Sequence, residues 1–103
     1  MTAIAVVTTL ATRKEARAMG RALVEARLAA CAQISKIESI YVWKGTIERG
    51  DEYRLLLKAT EARYDAVERA IRELRSYDLP AIHAFAFAHA SVAYSTWIEE
   101  NVA

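Results

Sequence analysis

A chain of 103 residues, 54% hydrophobic and 26% charged, with three glycines and one proline, can bury one core and lacks the makeup of a disordered or low-complexity segment. Its net charge of +1 gives none of the basic excess of a generic nucleic-acid binder, so no nucleic-acid partner is expected. The stretch MTAIAVVTTLATRKEARA has no leading positive charge and threonines break its apolar run, so neither a secretory signal nor a membrane span is expected there. The single Cys31 cannot form an intrachain disulfide, and a reducing, cytoplasmic setting follows as the expectation.

Residues 3–10, AIAVVTTL, are short, β-branched and apolar on both alternating faces, the pattern of a central strand. Thr12 and Glu15 form a capping-box pair, and Ala16, Met19, Leu23 and Ala26 recur at helical spacing, which predicts a helix from about 13 to 27. The stretch 28–48 has strand composition and places Ile37, Ser39, Tyr41 and Trp43 on one face, with Gly45 as a bulge or bend. The polar run ERGDE predicts a turn at Gly50 and a returning strand over 52–59. Thr60 then opens a second helix carrying Tyr64, Val67, Ile71 and Leu74 on one face, which ends before Pro80. A fourth strand is predicted over 81–90 and a last helix over about 92–101.

This order, βαββαβ plus a terminal helix, predicts an α+β ferredoxin-like sandwich over residues 1–103, a single domain with a long hairpin between its second and third strands. The two main helices of such a fold cover one side of the sheet. In the fourth strand Ile82, Ala84, Ala86 and Ala88 share one face, and His83, Phe85, Phe87 and His89 the other, so the second side also demands a cover. The terminal helix is too short to supply all of it. A second copy of the chain is the simplest lid, with the aromatic hairpin as an arm that embraces it by edge pairing.

The segments LAACAQI, SIYVWKGTIE, LLLKAT and YDLPAI…AYSTWIEENV, taken in order, resemble the CutA family of divalent-cation tolerance proteins over nearly the whole chain. The resemblance implies a tight homotrimer of ferredoxin-like subunits, similar in architecture to PII signalling proteins, and a link to tolerance of copper and other divalent cations. It implies no catalytic reaction and no obligatory cofactor. It makes Tyr41, Trp43, Gly45, Pro80, Tyr94 and Trp97 scaffold and interface positions, to which Phe85 and Phe87 add the bulky face of the fourth strand. It also makes Glu52, Lys58 and Tyr77 the polar lining of a cleft between subunits, which Tyr41 and Arg75 complete as candidate residues for binding a small ligand, with a metal ion or a small anion as the possible partners. Where relatives carry histidine before the fourth strand this chain has Arg75-Ser76-Tyr77, and where some carry cysteine in the first strand it has Thr8. Pro80-Ala81-Ile82 and Ala86 depart from the family pattern as well.

Candidate metal ligands are Cys31, His83 and His89. The two histidines stand six residues apart, roughly 20 Å along a strand, whereas ligands of one ion sit about 2 Å from it. One chain therefore cannot offer both to one ion, though a trimer can gather copies of one residue. Cys31 lies in a strand-like stretch without a helix N-terminus to activate it as a nucleophile, and reads as a small buried hydrophobe. Neither a phosphate-binding glycine loop nor a nucleophile elbow is present, and Arg13 reads as a solvated first-turn residue. An RNA-binding sheet would need aromatics that the first strand lacks. The expected function is thus a non-enzymatic trimer, with a small enzyme at the cleft or a scaffold presenting its arms to a protein partner as alternatives.

Overall fold

The computed structural model describes residues 2–75 and 78–103. Strand β1 (Ala3–Leu10) leads into helix α1 (Arg13–Glu25), then β2 (Cys31–Trp43) and β3 (Thr46–Thr60). A short 3-10 turn (Glu61–Arg63) precedes α2 (Tyr64–Leu74), followed by β4 (Ile82–Ala86) and α3 (Val92–Asn101). The four strands form one sheet in the order β2-β3-β1-β4, antiparallel at every pairing, which is the ferredoxin-like arrangement. Among the described residues no helix is long and apolar enough to cross a membrane.

Strand alternation assigns the two faces. Ile4, Val6 and Leu10 of β1, Leu55, Leu57 and Ala59 of β3, and Ala32 and Ile34 of β2 form one face, against which α1 packs Ala16, Met19 and Leu23, and α2 packs Val67 and Ile71. The capping pair forms as expected, with the Glu15 N–H donating to Thr12 Oγ1 at 3.1 Å. Gly20 brings α1 close to the sheet: a Cβ there would stand 3.0 Å from Ala32 Cβ and 3.2 Å from Leu55 Cδ1. A Gly20→Val substitution should therefore destabilise the fold by about 1–3 kcal/mol in urea titration, with partial recovery when combined with Ala32→Gly. A change below about 0.5 kcal/mol would show that the helix moves off the sheet at little cost.

Several boundaries differ from expectation. The hairpin turns at Lys44 and Gly45, which have φ of 50° and 81°, rather than at Gly50, which lies within β3 opposite Ser39. Two central residues with positive φ match the right-handed twist of the flanking strands. Gly45 is thus the turn itself and not a bulge. Helix α1 stops at Glu25 because Arg27 adopts a φ of 58°. Thr60 both ends β3 and stands as the N-cap of the 3-10 turn that runs directly into α2, whereas Leu74 is 51% exposed rather than part of the packed face. The fourth strand closes at Ala86, since it pairs with Ile4 and the Phe87 N–H donates to the Ala3 carbonyl, where β1 begins. Tyr64, at the start of α2, donates its hydroxyl to Glu68 at 2.9 Å, and burial followed by that carboxylate pushes its phenol above the ordinary value.

Helix α3 packs on β3 and β1. It covers the face opposite α1 and α2, since Lys58, which alternates with the core residue Leu57, donates to Tyr94 of α3. Its entry is capped by Ser91 Oγ, which accepts from the Tyr94 N–H at 3.1 Å. Its far end is tied to the α1–β2 connection: Arg27 Nη2 donates to the Glu100 carbonyl at 2.6 Å, and the Ala103 N–H donates to the Arg27 carbonyl at 2.9 Å.

Candidate functional site

The arm follows from unequal strand lengths. Strand β1 ends at Leu10, opposite Tyr53, whereas β3 runs back to Thr46. Residues 46–52 therefore pair only with 37–43 of β2 among the described residues, and a two-stranded ribbon projects from the sheet. The projection draws the molecule out to 44 × 26 × 22 Å, with a radius of gyration of 14.1 Å against about 13 Å for an ordinary domain of this size. On one face of the ribbon Ile40, Val42 and Ile47 are more than two-thirds exposed, and on the other Tyr41 and Trp43 are nearly half exposed.

In the corner between this ribbon and the segment 78–81 lies an open groove of ≈ 900 Å³. Tyr41, Trp43 and Ser39 of β2, Gly50 and Glu52 of β3, and Asp78, Leu79 and Ala81 line it, together with Glu38, Ile40 and Asp51. Of the five residues expected in a ligand cleft, the structure brings Tyr41 and Glu52 together here. Lys58 is elsewhere. It stands six residues beyond Glu52 on β3, roughly 20 Å away along the strand. There its ammonium donates to Tyr94 Oη at 2.7 Å and lies 5.0 Å from the centre of that ring, which in turn stacks on Trp97. Arg75 is exposed just past α2, where its guanidinium donates to the Arg72 carbonyl. Tyr77 lies outside the described residues.

Glu38, Asp51 and Asp78 are groove residues that the sequence reading missed. Glu38 and Asp51 stand directly opposite each other in the ladder, and Arg49 bridges both, contacting Glu38 and lying 3.7 Å from Asp51. The segment ERGDE shows Arg49 and Asp51 of this trio, but Glu38 joins them only through the hairpin register.

The candidate metal ligands do not converge within the chain. Cys31 begins β2, half-buried and opposite Lys58, while His83 is exposed on β4, three strand spacings or about 14 Å across the sheet. His89 lies past the end of β4 and so does not share a strand face with His83. Among the described residues no group of three or more histidine, cysteine, aspartate or glutamate side chains is placed to hold a metal ion. Of the expected interface residues, Phe85 is 56% and Trp97 42% exposed, while Phe87 and Tyr94 are partly covered. Arg13 places its guanidinium 5.0 Å from the centre of the Tyr53 ring, so it stacks rather than standing free in solvent.

The family model of the CutA1 divalent ion tolerance protein matches residues 4–101. The chain is 33% identical over 99 residues to the divalent-cation tolerance protein CutA of Thermotoga maritima, covering 96% of this chain and 98% of that one. It is 35% identical to the protein of the same name from Thermus thermophilus, over 93% of this chain and 94% of the other. Among solved structures, CutA from Synechococcus elongatus superposes with a TM-score of 0.95 at 33% identity, covering 99% of this chain and 91% of that chain. The periplasmic divalent cation tolerance protein CutA from Archaeoglobus fulgidus gives a TM-score of 0.95 at 28% identity, covering 98% and 99%.

Proposed function

The chain belongs to the CutA1 divalent ion tolerance family, and from that premise we propose that it acts as a non-catalytic homotrimer in the response to divalent metal ions, copper included. The observation that carries this reading is the arm. An isolated two-stranded ribbon is marginal in water, and this one also displays Ile40, Val42 and Ile47 at 72%, 70% and 74% exposure. Copies of the same chain would bury these residues and pair the bare edge of residues 46–52. The number three rests on the family resemblance. Cytoplasmic residence is proposed on the single cysteine alone.

Metal binding, on this reading, is a property of the assembly. Cys31 and His83 are too far apart in one chain, so an ion held by either needs a group from a second copy. Light scattering on the purified protein should give the mass of three chains. Equilibrium dialysis against Cu(II) and Zn(II) with a competing chelator should show metal retained by the assembled protein and released by a monomeric arm variant. A wild-type monomer at micromolar concentration, or a monomeric variant that holds metal as tightly as wild type, would overturn the proposal.

A further inference from the structure

We infer that α3 is a strap that opens and recloses while the rest of the fold stays intact, and that Arg27, in the connection between α1 and β2, is its clasp. A helix of ten residues is too short to hold its shape in water alone, so α3 depends on its attachments. Its start is secured by its own sequence, since Ser91 Oγ accepts from the Tyr94 N–H at 3.1 Å. Its end is not. The last turn carries Glu99 and Glu100 and no basic residue, which sets negative charge against the negative end of the helix dipole. Val102 caps it in an extended conformation, without the left-handed turn that commonly satisfies the last carbonyls.

Arg27 supplies what that end lacks. Its guanidinium donates to the Glu100 carbonyl at 2.6 Å, bringing a donor and a positive charge to a last-turn carbonyl that has no partner within the helix. Its own carbonyl accepts from the Ala103 N–H at 2.9 Å. Asn101 adds a bond inside the helix, from Nδ2 to the Trp97 carbonyl at 2.8 Å. The backbone of Arg27 has a φ of 58°, the left-handed region that glycine most often fills just past a helix. An arginine there carries a steric cost that glycine would avoid, but a glycine has no side chain to reach α3. Between its two ends α3 buries one side chain, Ile98, whereas β1, β3, α1 and α2 share a common core. Such a weakly anchored element belongs to the part of a fold that opens first. Opening takes Tyr94 away from Lys58, whose Nζ donates to Tyr94 Oη at 2.7 Å and lies 5.0 Å from the centre of that ring. Lys58 has no ion pair among the described residues, so the clasp sets how often its ammonium is accessible.

The test is hydrogen exchange on the whole purified protein, read by mass spectrometry for α3, β1 and β3. In the wild type the α3 amides should exchange at least about tenfold faster than those of β1. Arg27→Gly suits the left-handed backbone and so keeps the fold. It should speed α3 exchange roughly tenfold further, the loss of one charge-assisted hydrogen bond, with β1 and β3 no faster than in the wild type. Arg27→Lys, which keeps the charge, should fall between the two. Acetylation of Lys58 by an amine-reactive ester should rise along with α3 exchange, while the exposed Lys14 and Lys36 react at constant rates. Equal protection of α3 and β1 in the wild type, unchanged α3 exchange in Arg27→Gly, or a Lys58 acetylation rate that does not follow α3 would each overturn the inference.

Discussion

An Ile98→Ala variant should lose about 2–5 kcal/mol of stability, read as a lower midpoint in denaturant titration. The size of the effect follows from how α3 is attached. Ile98 is fully buried, whereas Val92 at 84% and Trp97 at 42% leave much of the helix in solvent. Among the described residues it is the one buried side chain of α3, which covers the sheet face carrying Val7, itself only 3% exposed. Polar ties add to it: Lys58 to Tyr94, and the two hydrogen bonds that join Arg27 to residues 100 and 103. Tyr94→Phe, which removes only the hydroxyl partner of a half-buried lysine, should cost far less, about 0.5–1.5 kcal/mol. If both variants had the same small effect, α3 would be a bystander to the fold.

The second large effect concerns assembly. Val42 and Ile47 stand directly opposite each other at the tip of the arm and are 70% and 74% exposed. Replacing them together, Val42→Lys with Ile47→Glu, keeps an attractive cross-strand pair while removing the apolar patch. On the proposed reading the double variant should sediment as a monomer or dissociate at concentrations where the wild type is a trimer. Its circular dichroism should stay close to native, because neither residue contributes to the core beneath α1 and α2. Retention of the wild-type mass would place the subunit contacts elsewhere on the molecule.

The sheet, the helices and the fold class were legible in the chain because burial leaves a periodic trace. Leu55 and Leu57 alternate with Leu56 and Lys58, and Ala16, Met19 and Leu23 recur at helical spacing; both patterns fall on the observed core. The arm leaves no such trace. With both its faces exposed, apolar alternation no longer marks in from out, and the polar run around Gly50 looked more like a turn than Lys44-Gly45 did. The fourth strand was read too long for a related reason: its apolar run continues past Ala86, but its pairing stops where β1 begins.

The sequence by itself determined a ferredoxin-like sandwich with an aromatic arm and one sheet face in need of more cover, because hydrophobic period and turn chemistry are local properties. Tertiary structure alone decided which polar residues meet. Lys58 and Glu52 are close in sequence yet roughly 20 Å apart along an extended strand, while Asp78 reaches the groove from the far side of α2. Strand register and the end of β1 bring Tyr41, Glu52 and Asp78 to one groove and leave Lys58 outside it.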